Sequence, residues 1–258
     1  ALNPNANMVV SPCDHLILKE DEFLEDVKKG LQFVDGQDAL LTMGIRPSRP
    51  ETGYGYIQSC EDGADGFSKV KTFTEKPNLD LARIFYESGE FFWNSGIFLW
   101  NVDAIINALH KYLPDVTARF DLGLPEFNTA EEHAFIAQNF PYCPNISIDH
   151  AVMEKAENVY MLCVDFGWAD LGTWGSLYDI APKDIHDNAP LKTQTLLYES
   201  SGNVIALSDP ERMAVIQGLK DYIVAESGNV LLICKREDEH RIKEFMADAP
   251  MLHGKEFS

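Results

Sequence analysis

The apolar positions fall into short continuous runs and helix-period stretches as far as about residue 190, and into shorter β-type runs beyond it. Met8-Val9-Val10 rises from a polar start and stops at Ser11-Pro12, which predicts a brief strand. Phe23, Val27, Leu31 and Val34 recur on one face of a 3.6-residue period and predict a helix over 21–34, with Gly36 placed to cap it. Residues 39–45 are apolar except for Thr42, so a strand buried on both faces is expected. Next come an expected strand at 56–60, a turn at 61–66, and a strand at 70–75 stopped by Pro77. Helices are expected at 79–88 and 102–113, the first ending at Gly89. Between them, Phe91 to Trp100 is densely aromatic but broken by Asn94-Ser95-Gly96, and an asparagine in such a run must find hydrogen-bond partners. Thr129-Ala130-Glu131-Glu132 has a capping-box pattern that opens a further helix. Residues 147–155 read as a short helix, 159–164 as a buried strand and 176–180 as a short helix.

Beyond 190, β-type runs at 193–198, 203–207, 213–216, 222–225 and 230–234 are separated by turns such as Ser201-Gly202 and Ser227-Gly228. A polar helix at 237–247 closes the region, and no repeat of fixed period is visible. The expected organisation is therefore an α/β domain over 1–190 and a small β-rich appendage over 191–258.

Composition narrows the class. The chain has 258 residues, 45% hydrophobic, with 21 basic and 41 acidic side chains and a net charge of −20. Such a chain does not suit a polyanionic partner, so neither nucleic acid nor an anionic membrane is expected. No apolar run is long enough to span a bilayer. The five cysteines form no CxxC pair and several lie in apolar runs, so buried thiols in a reducing cytoplasm are expected.

Candidate chemistry gathers where apolar strands end beside proline or glycine. Pro12-Cys13-Asp14-His15, Arg49 to Tyr56, Glu75-Lys76-Pro77 with Asn94-Ser95-Gly96, and Phe166 to Trp174 are those places. In open α/β sheets, strand ends of this kind converge on a ligand site. Asp14 and Asp170, remote in sequence, could meet there and hold Mg²⁺ with water and phosphate oxygens completing its shell. Glu75 and Asn94 suit sugar hydroxyls, and Lys76 or Arg49 suits a phosphate. Taken singly, each has a plainer explanation: a turn or cap carboxylate for Asp14, a solvated charge for Lys76, a bulge cap for Asn94. His15 reads as scaffold and Glu154 as a helix-surface acid.

Taken together and in order, these segments carry a resemblance. Ser11-Pro12-Cys13-Asp14-His15, Arg49-Pro50-Glu51-Thr52-Gly53-Tyr54-Gly55-Tyr56-Ile57, Phe73-Thr74-Glu75-Lys76-Pro77, Trp93-Asn94-Ser95-Gly96 and Gly167-Trp168-Ala169-Asp170-Leu171-Gly172-Thr173-Trp174 resemble the sugar nucleotidylyltransferases, and among them the mannose-1-phosphate guanylyltransferases. The resemblance implies a Rossmann-like nucleotidyltransferase fold, with a mixed, mostly parallel sheet and flanking helices. It implies the reaction of GTP with mannose 1-phosphate to give GDP-mannose and diphosphate, by in-line attack that needs positioning and charge neutralisation more than a general base. Asp14 and Asp170 would hold Mg²⁺ or Mn²⁺, and Lys76 would face the sugar phosphate. Gly53, Tyr54, Glu75 and Asn94 would line the sugar pocket, with Arg49 nearby. A cytoplasmic homodimer is implied as well.

The family's Gly-rich phosphate loop has no counterpart before Asp14. An N-terminally truncated domain is therefore expected, short of roughly 90 residues at about 30 per βα unit, and inactive by itself. The alternatives are another hexose-1-phosphate nucleotidylyltransferase or a non-catalytic sugar-phosphate binding module. A two-carboxylate glycosidase would leave Lys76-Pro77 unexplained.

Overall fold

The computed structural model describes residues 3–59 and 66–254. The expected turn at 61–66, apart from Gly66, and the last residue of the expected strand at 56–60 lie outside them. The chain packs as two compact units, one formed by 1–13 and 17–168, the other by 14–16 and 169–258. The expected boundary at 190/191 falls inside the second unit.

The first unit is built on a six-stranded sheet. Its strands are β1 (Asn7–Val10), β3 (Leu40–Ile45), β4 (Tyr56–Ser59), β5 (Phe67–Thr74), β6 (Phe91–Asn101) and β7 (Val159–Val164), in the order β1-β6-β3-β7-β5-β4. The short strand β2 (His15–Ile17) pairs instead with β8 (Trp168–Asp170) in a separate ladder. The large sheet is mixed, as expected, but its balance differs from a mostly parallel one. β3 and β7 run parallel, whereas β6 runs antiparallel to β1, β3 and β4, and β5 runs antiparallel to β4 and β7. The long aromatic strand β6 therefore organises the sheet, and at Asn94-Ser95-Gly96 it bulges: its register against β3 shifts between Asn94 and Phe98, and Gly96 takes φ +71°.

Both faces of the sheet are covered, and this is why its central strands read as continuous apolar runs. Successive residues point to opposite faces. Leu41, Ile97 and Leu162 pack with Val34 of α1 (Glu20–Val34), while Leu40, Phe98 and Met161 pack with Ile105 of α3 (Val102–Tyr112). The helical face of α1 is the expected one, since Phe23, Val27 and Leu31 join the same cluster as Val34. Tyr54, Tyr56, Trp93 and Phe85 of α2 (Leu79–Ser88) form a third cluster. Asn78 and Asn101 cap α2 and α3 by accepting the N–H of Leu81 and Ala104.

Further along, α4 (Pro114–Asp121) and α5 (Glu132–Asn139) precede a π-helical turn, Asp149–Met153, that leads into β7. The expected capping box does not form: Thr129 Oγ1 accepts the Glu131 N–H in a local turn, and α5 begins at Glu132 without a side-chain cap. None of the four described cysteines is buried, against the expectation of buried thiols: Cys143 and Cys234 are half-buried, Cys13 is exposed, and Cys163 sits at an exposed position of β7 despite its apolar neighbours.

The second unit holds α6 (Trp174–Ile180) and strands β9 (Ala189–Pro190), β10 (Gln194–Tyr198), β11 (Val204–Ala206), β12 (Met213–Gln217), β13 (Tyr222–Ser227) and β14 (Val230–Lys235), closed by α7 (Ile242–His253). The β region coils. β9, β11 and β13 lie parallel in register, β10 lies parallel to β12, and only β13–β14 is an antiparallel hairpin. Asparagines stack inside: Asn203 Nδ2 donates to Asn188 Oδ1 (2.8 Å) and to Leu219 C=O (2.9 Å), and Asn203 Oδ1 accepts the Tyr222 N–H (2.9 Å). Both asparagines are fully buried. The steps from Ala189 to Val204 and from Val204 to Ile223 differ in length, so the coil leaves no fixed sequence period.

Candidate functional site

Within the first unit, the end of β5 and the middle of β6 build a polar recess. Asn94, 9% exposed, is anchored at its backbone and at both ends of its amide. Its N–H donates to Gly55 C=O (2.8 Å), its Oδ1 accepts from Thr42 Oγ1 (2.9 Å) and from the Gly96 N–H (3.2 Å), and its Nδ2 donates to Asp149 Oδ1 (2.9 Å). The hydrogen bonds required of an asparagine inside an aromatic strand are thus made, by the loop before β4, by β3, by β6 itself and by the segment at Asp149.

Glu75 lies beside this network, with its side chain 8% exposed. Its Oε1 pairs with Lys76 Nζ at 2.8 Å, whereas its Oε2 is buried with no hydrogen-bond partner among the described residues. A buried oxygen of this kind is costly unless a ligand or water satisfies it. The Glu75 N–H donates to Glu154 Oε1 (3.1 Å), and Glu154 also pairs with His150 Nδ1 (3.1 Å). Glu154 is therefore part of this recess rather than a plain surface acid. Burial, and then the neighbouring Glu75 charge, raise the pKa of Asp149 above the usual carboxylate range. Lys76 reaches outward, 63% exposed, from a backbone at φ +43°.

The loop at 49–56 folds around a buried carboxylate. Glu51 Oε1 accepts the Gly53 N–H (2.9 Å), Glu51 Oε2 accepts from Arg49 Nη2 (3.0 Å), and the Glu51 N–H donates to the Tyr56 hydroxyl (2.8 Å). Arg49 also stands 5.4 Å from the Trp93 ring centroid. Its guanidinium serves this loop through those contacts. Tyr54 is 5% exposed and meets Trp93 and Trp168 edge-on, each at 5.1 Å, so it is a wall of packed aromatics. Gly55 rather than Gly53 makes the close approach to Glu75 and Asn94.

In the second unit, the segments that carry Asp14 and Asp170 meet by a route other than the expected one. They do not sit at parallel strand ends of the main sheet. Asp14 immediately precedes β2, Asp170 ends β8, and β2 pairs with β8. His15 Nε2 lies 4.0 Å from Asp170 Oδ1, which also accepts the Gly172 N–H (2.8 Å). Asp14 is exposed and the Asp170 side chain is 25% exposed. Among the described residues no group of three or more His, Cys, Asp and Glu could hold a metal. Accessible carboxylates are oxygen donors of the kind a hard cation takes alongside water and phosphate. Below Asp170, Thr173 caps α6, and Glu239 accepts the N–H groups of Trp174 (2.6 Å) and Gly175 (2.8 Å).

Thr42, Glu51, Asp149, Glu154 and Glu239 carry much of this architecture, and the sequence reading gives none of them a role. The polar Thr42 inside an apolar strand is the one signal visible beforehand.

The pattern of the family described as nucleotidyl transferase matches residues 2–187. The chain belongs to the nucleotidyl transferase family. The mannose-1-phosphate guanylyltransferase of Escherichia coli is 32% identical over 259 residues, covering 98% of this chain and 55% of that protein. The protein of the same name from Salmonella montevideo is 32% identical over 257 residues, covering 95% of this chain and 52% of that one. The crystal structure described as mannose-1-phosphate geranyltransferase from Thermus thermophilus superposes with a TM-score of 0.76 at 25% identity, covering 94% of this chain and 69% of that chain. This chain spans about half the length of the curated relatives it matches. The nucleotidyl transferase fold expected from the sequence is thereby established. Among the described residues no helix is long and apolar enough to cross a membrane.

Proposed function

We propose that this chain carries the sugar-phosphate site and the metal carboxylates of an enzyme that joins GTP and α-D-mannose 1-phosphate into GDP-mannose, releasing diphosphate. The observation that carries the reading is Glu75 Oε2, a buried carboxylate oxygen without a partner among the described residues, set beside the anchored amide of Asn94. Such an acceptor and amide suit the hydroxyls of a hexose. Lys76, on the same strand end, supplies a cation for the sugar's phosphate. Family membership and the names of the relatives support the reaction class.

The nucleophile is a phosphate oxygen already ionised near neutral pH, so the residues here bind and orient rather than abstract a proton. Glu75 and Asn94 fix the sugar ring, the Glu51-centred loop and the Tyr54–Trp93 packing keep the wall rigid, and Lys76 offsets phosphate charge. Asp14 and Asp170 would hold Mg²⁺ or Mn²⁺, which when bound supplies the positive charge that lets two anions approach. We infer a cytoplasmic homodimer by the same likeness to the family.

The test is a panel of nucleoside triphosphates against sugar 1-phosphates with the native full-length protein, reading diphosphate release. GTP with mannose 1-phosphate should be the preferred pair. Preference for a different pair would replace this assignment with another nucleotidylyltransferase, and binding of sugar phosphate without any turnover would favour a non-catalytic module.

A further inference from the structure

The Asn94 amide has its orientation fixed by its surroundings. The Gly96 N–H can only donate, so the atom facing it is Oδ1 and the one facing Asp149 is Nδ2. Thr42 Oγ1 takes the second acceptor direction of Oδ1. Asp149 takes one hydrogen of Nδ2. One N–H is left for a ligand, and no acceptor. Next to it Glu75 Oε2 can only accept when ionised. The pair therefore asks a sugar for one hydroxyl hydrogen and one hydroxyl oxygen, in that spatial order.

We propose that Asp149 and Thr42 are positioning residues that lock Asn94 as a donor-only contact and thereby set which sugar hydroxyl pattern the recess accepts. This rests on the mannose 1-phosphate reading above. Asp149 opens the π-helical turn before β7, and Thr42 is fully buried in β3, so neither needs to touch the sugar to act. An aspartate at 149 is not required for its charge, because an asparagine there still offers a carbonyl oxygen to Asn94 Nδ2.

The test uses the native full-length protein and calorimetric titration with mannose 1-phosphate and its monodeoxy analogues, with KM values for both substrates alongside. In the wild type, one monodeoxy analogue should bind about tenfold more weakly than the parent, the scale of one hydrogen bond to a polar hydroxyl. Asp149→Ala should weaken the parent sugar by about tenfold and erase that analogue's penalty, since the donor is no longer aimed. The KM for GTP should stay where it was. Asp149→Asn should keep both affinity and penalty, and Thr42→Val should lose about half of the penalty on a logarithmic scale. The proposal is overturned if Asp149→Ala keeps the penalty, if Asp149→Asn behaves like Asp149→Ala, or if the KM values for sugar and GTP rise together. Should Asp149→Ala not fold, the Asn and Val variants decide the matter on the same penalty. A wild type that binds no mannose 1-phosphate fails the parent reading instead, a result distinct from all of these.

Discussion

Gly55 stands so close to Glu75 that a Cβ on it would overlap Glu75 Oε2 and lie 3.3 Å from Asn94 Cβ. The buried acceptor is thus pressed against bare backbone, and its other oxygen is held by Lys76. Gly55→Ala must displace the carboxylate, since the sheet on the far side does not yield. The expected result is a roughly tenfold rise in KM for mannose 1-phosphate, the size of one lost charged hydrogen bond, with the KM for GTP unchanged. Steady-state kinetics checks this, with circular dichroism to show that the fold persists. An unaltered sugar KM would mean that Glu75 does not read the sugar.

The cation site proposed at Asp14 and Asp170 is tested by removing one carboxylate. Asp170→Asn should lower turnover by about a hundredfold or more, as expected when transition-state charge stabilisation is removed. Titration with Mn²⁺ followed by electron paramagnetic resonance should show the loss of one bound ion, with the thermal transition little moved. Wild-type Mn²⁺ binding in the variant would remove the metal assignment.

The raised pKa of Asp149 has a consequence for stability. Its causes are burial first and the Glu75 charge second. The folded state therefore holds this proton more tightly than the unfolded chain does, and stability from this group falls as pH rises through the folded pKa. The cost is present at neutral pH and absent below about pH 4, where the unfolded carboxyl is protonated too. Asp149→Asn removes it. Urea midpoints should be higher for the variant at pH 7 and converge with wild type below about pH 4. A gap that does not depend on pH would contradict the assignment.

Glu239 joins the end of the coil to the start of α6 by accepting two backbone N–H groups. Glu239→Ala leaves both donors without that carboxylate and should cost about 1–2 kcal/mol, the range for a lost cap with favourable helix-end charge. Equilibrium denaturation measures it. Glu239→Gln, which keeps one acceptor, should fall between the two.

Asn203 is the inner rung of the coil, bonded at its oxygen and at both hydrogens. Asn203→Leu would strand the Tyr222 N–H and the Leu219 carbonyl and should destabilise the second unit by about 2–4 kcal/mol. A two-phase melting curve, with the earlier phase shifted, is the expected observation.

Much of this was legible in the sequence where one rule acted alone. The helix α1, the doubly buried β3 and the need of Asn94 for partners follow from period and composition, and Glu75, Lys76 and Asn94 do come together in one recess. What escaped depended on long-range pairing. Nothing local distinguishes β2 from a loop, although its pairing with β8 brings His15, the residue after Asp14, to Asp170. Asp149 opens a π-turn and Glu154 follows it, in a stretch that looks like an ordinary surface helix because their partners are remote, on β6 and just past β5. The coil stayed hidden because its turns are unequal, and the exposed Cys163 because it stands near the end of β7, one residue past the last pairing with β5. The capping box at Thr129 failed because that side chain closes its own turn first.

The backbone of Lys76, at φ +43°, is one that side-chain-bearing residues adopt at a cost of about 1 kcal/mol or more. A glycine there would relax the chain and raise its melting point while deleting the ammonium group. Laboratory evolution for heat resistance alone would therefore drift toward Lys76→Gly and return hardy proteins without the cation proposed here for the sugar's phosphate. A library meant to keep turnover should hold codon 76 fixed.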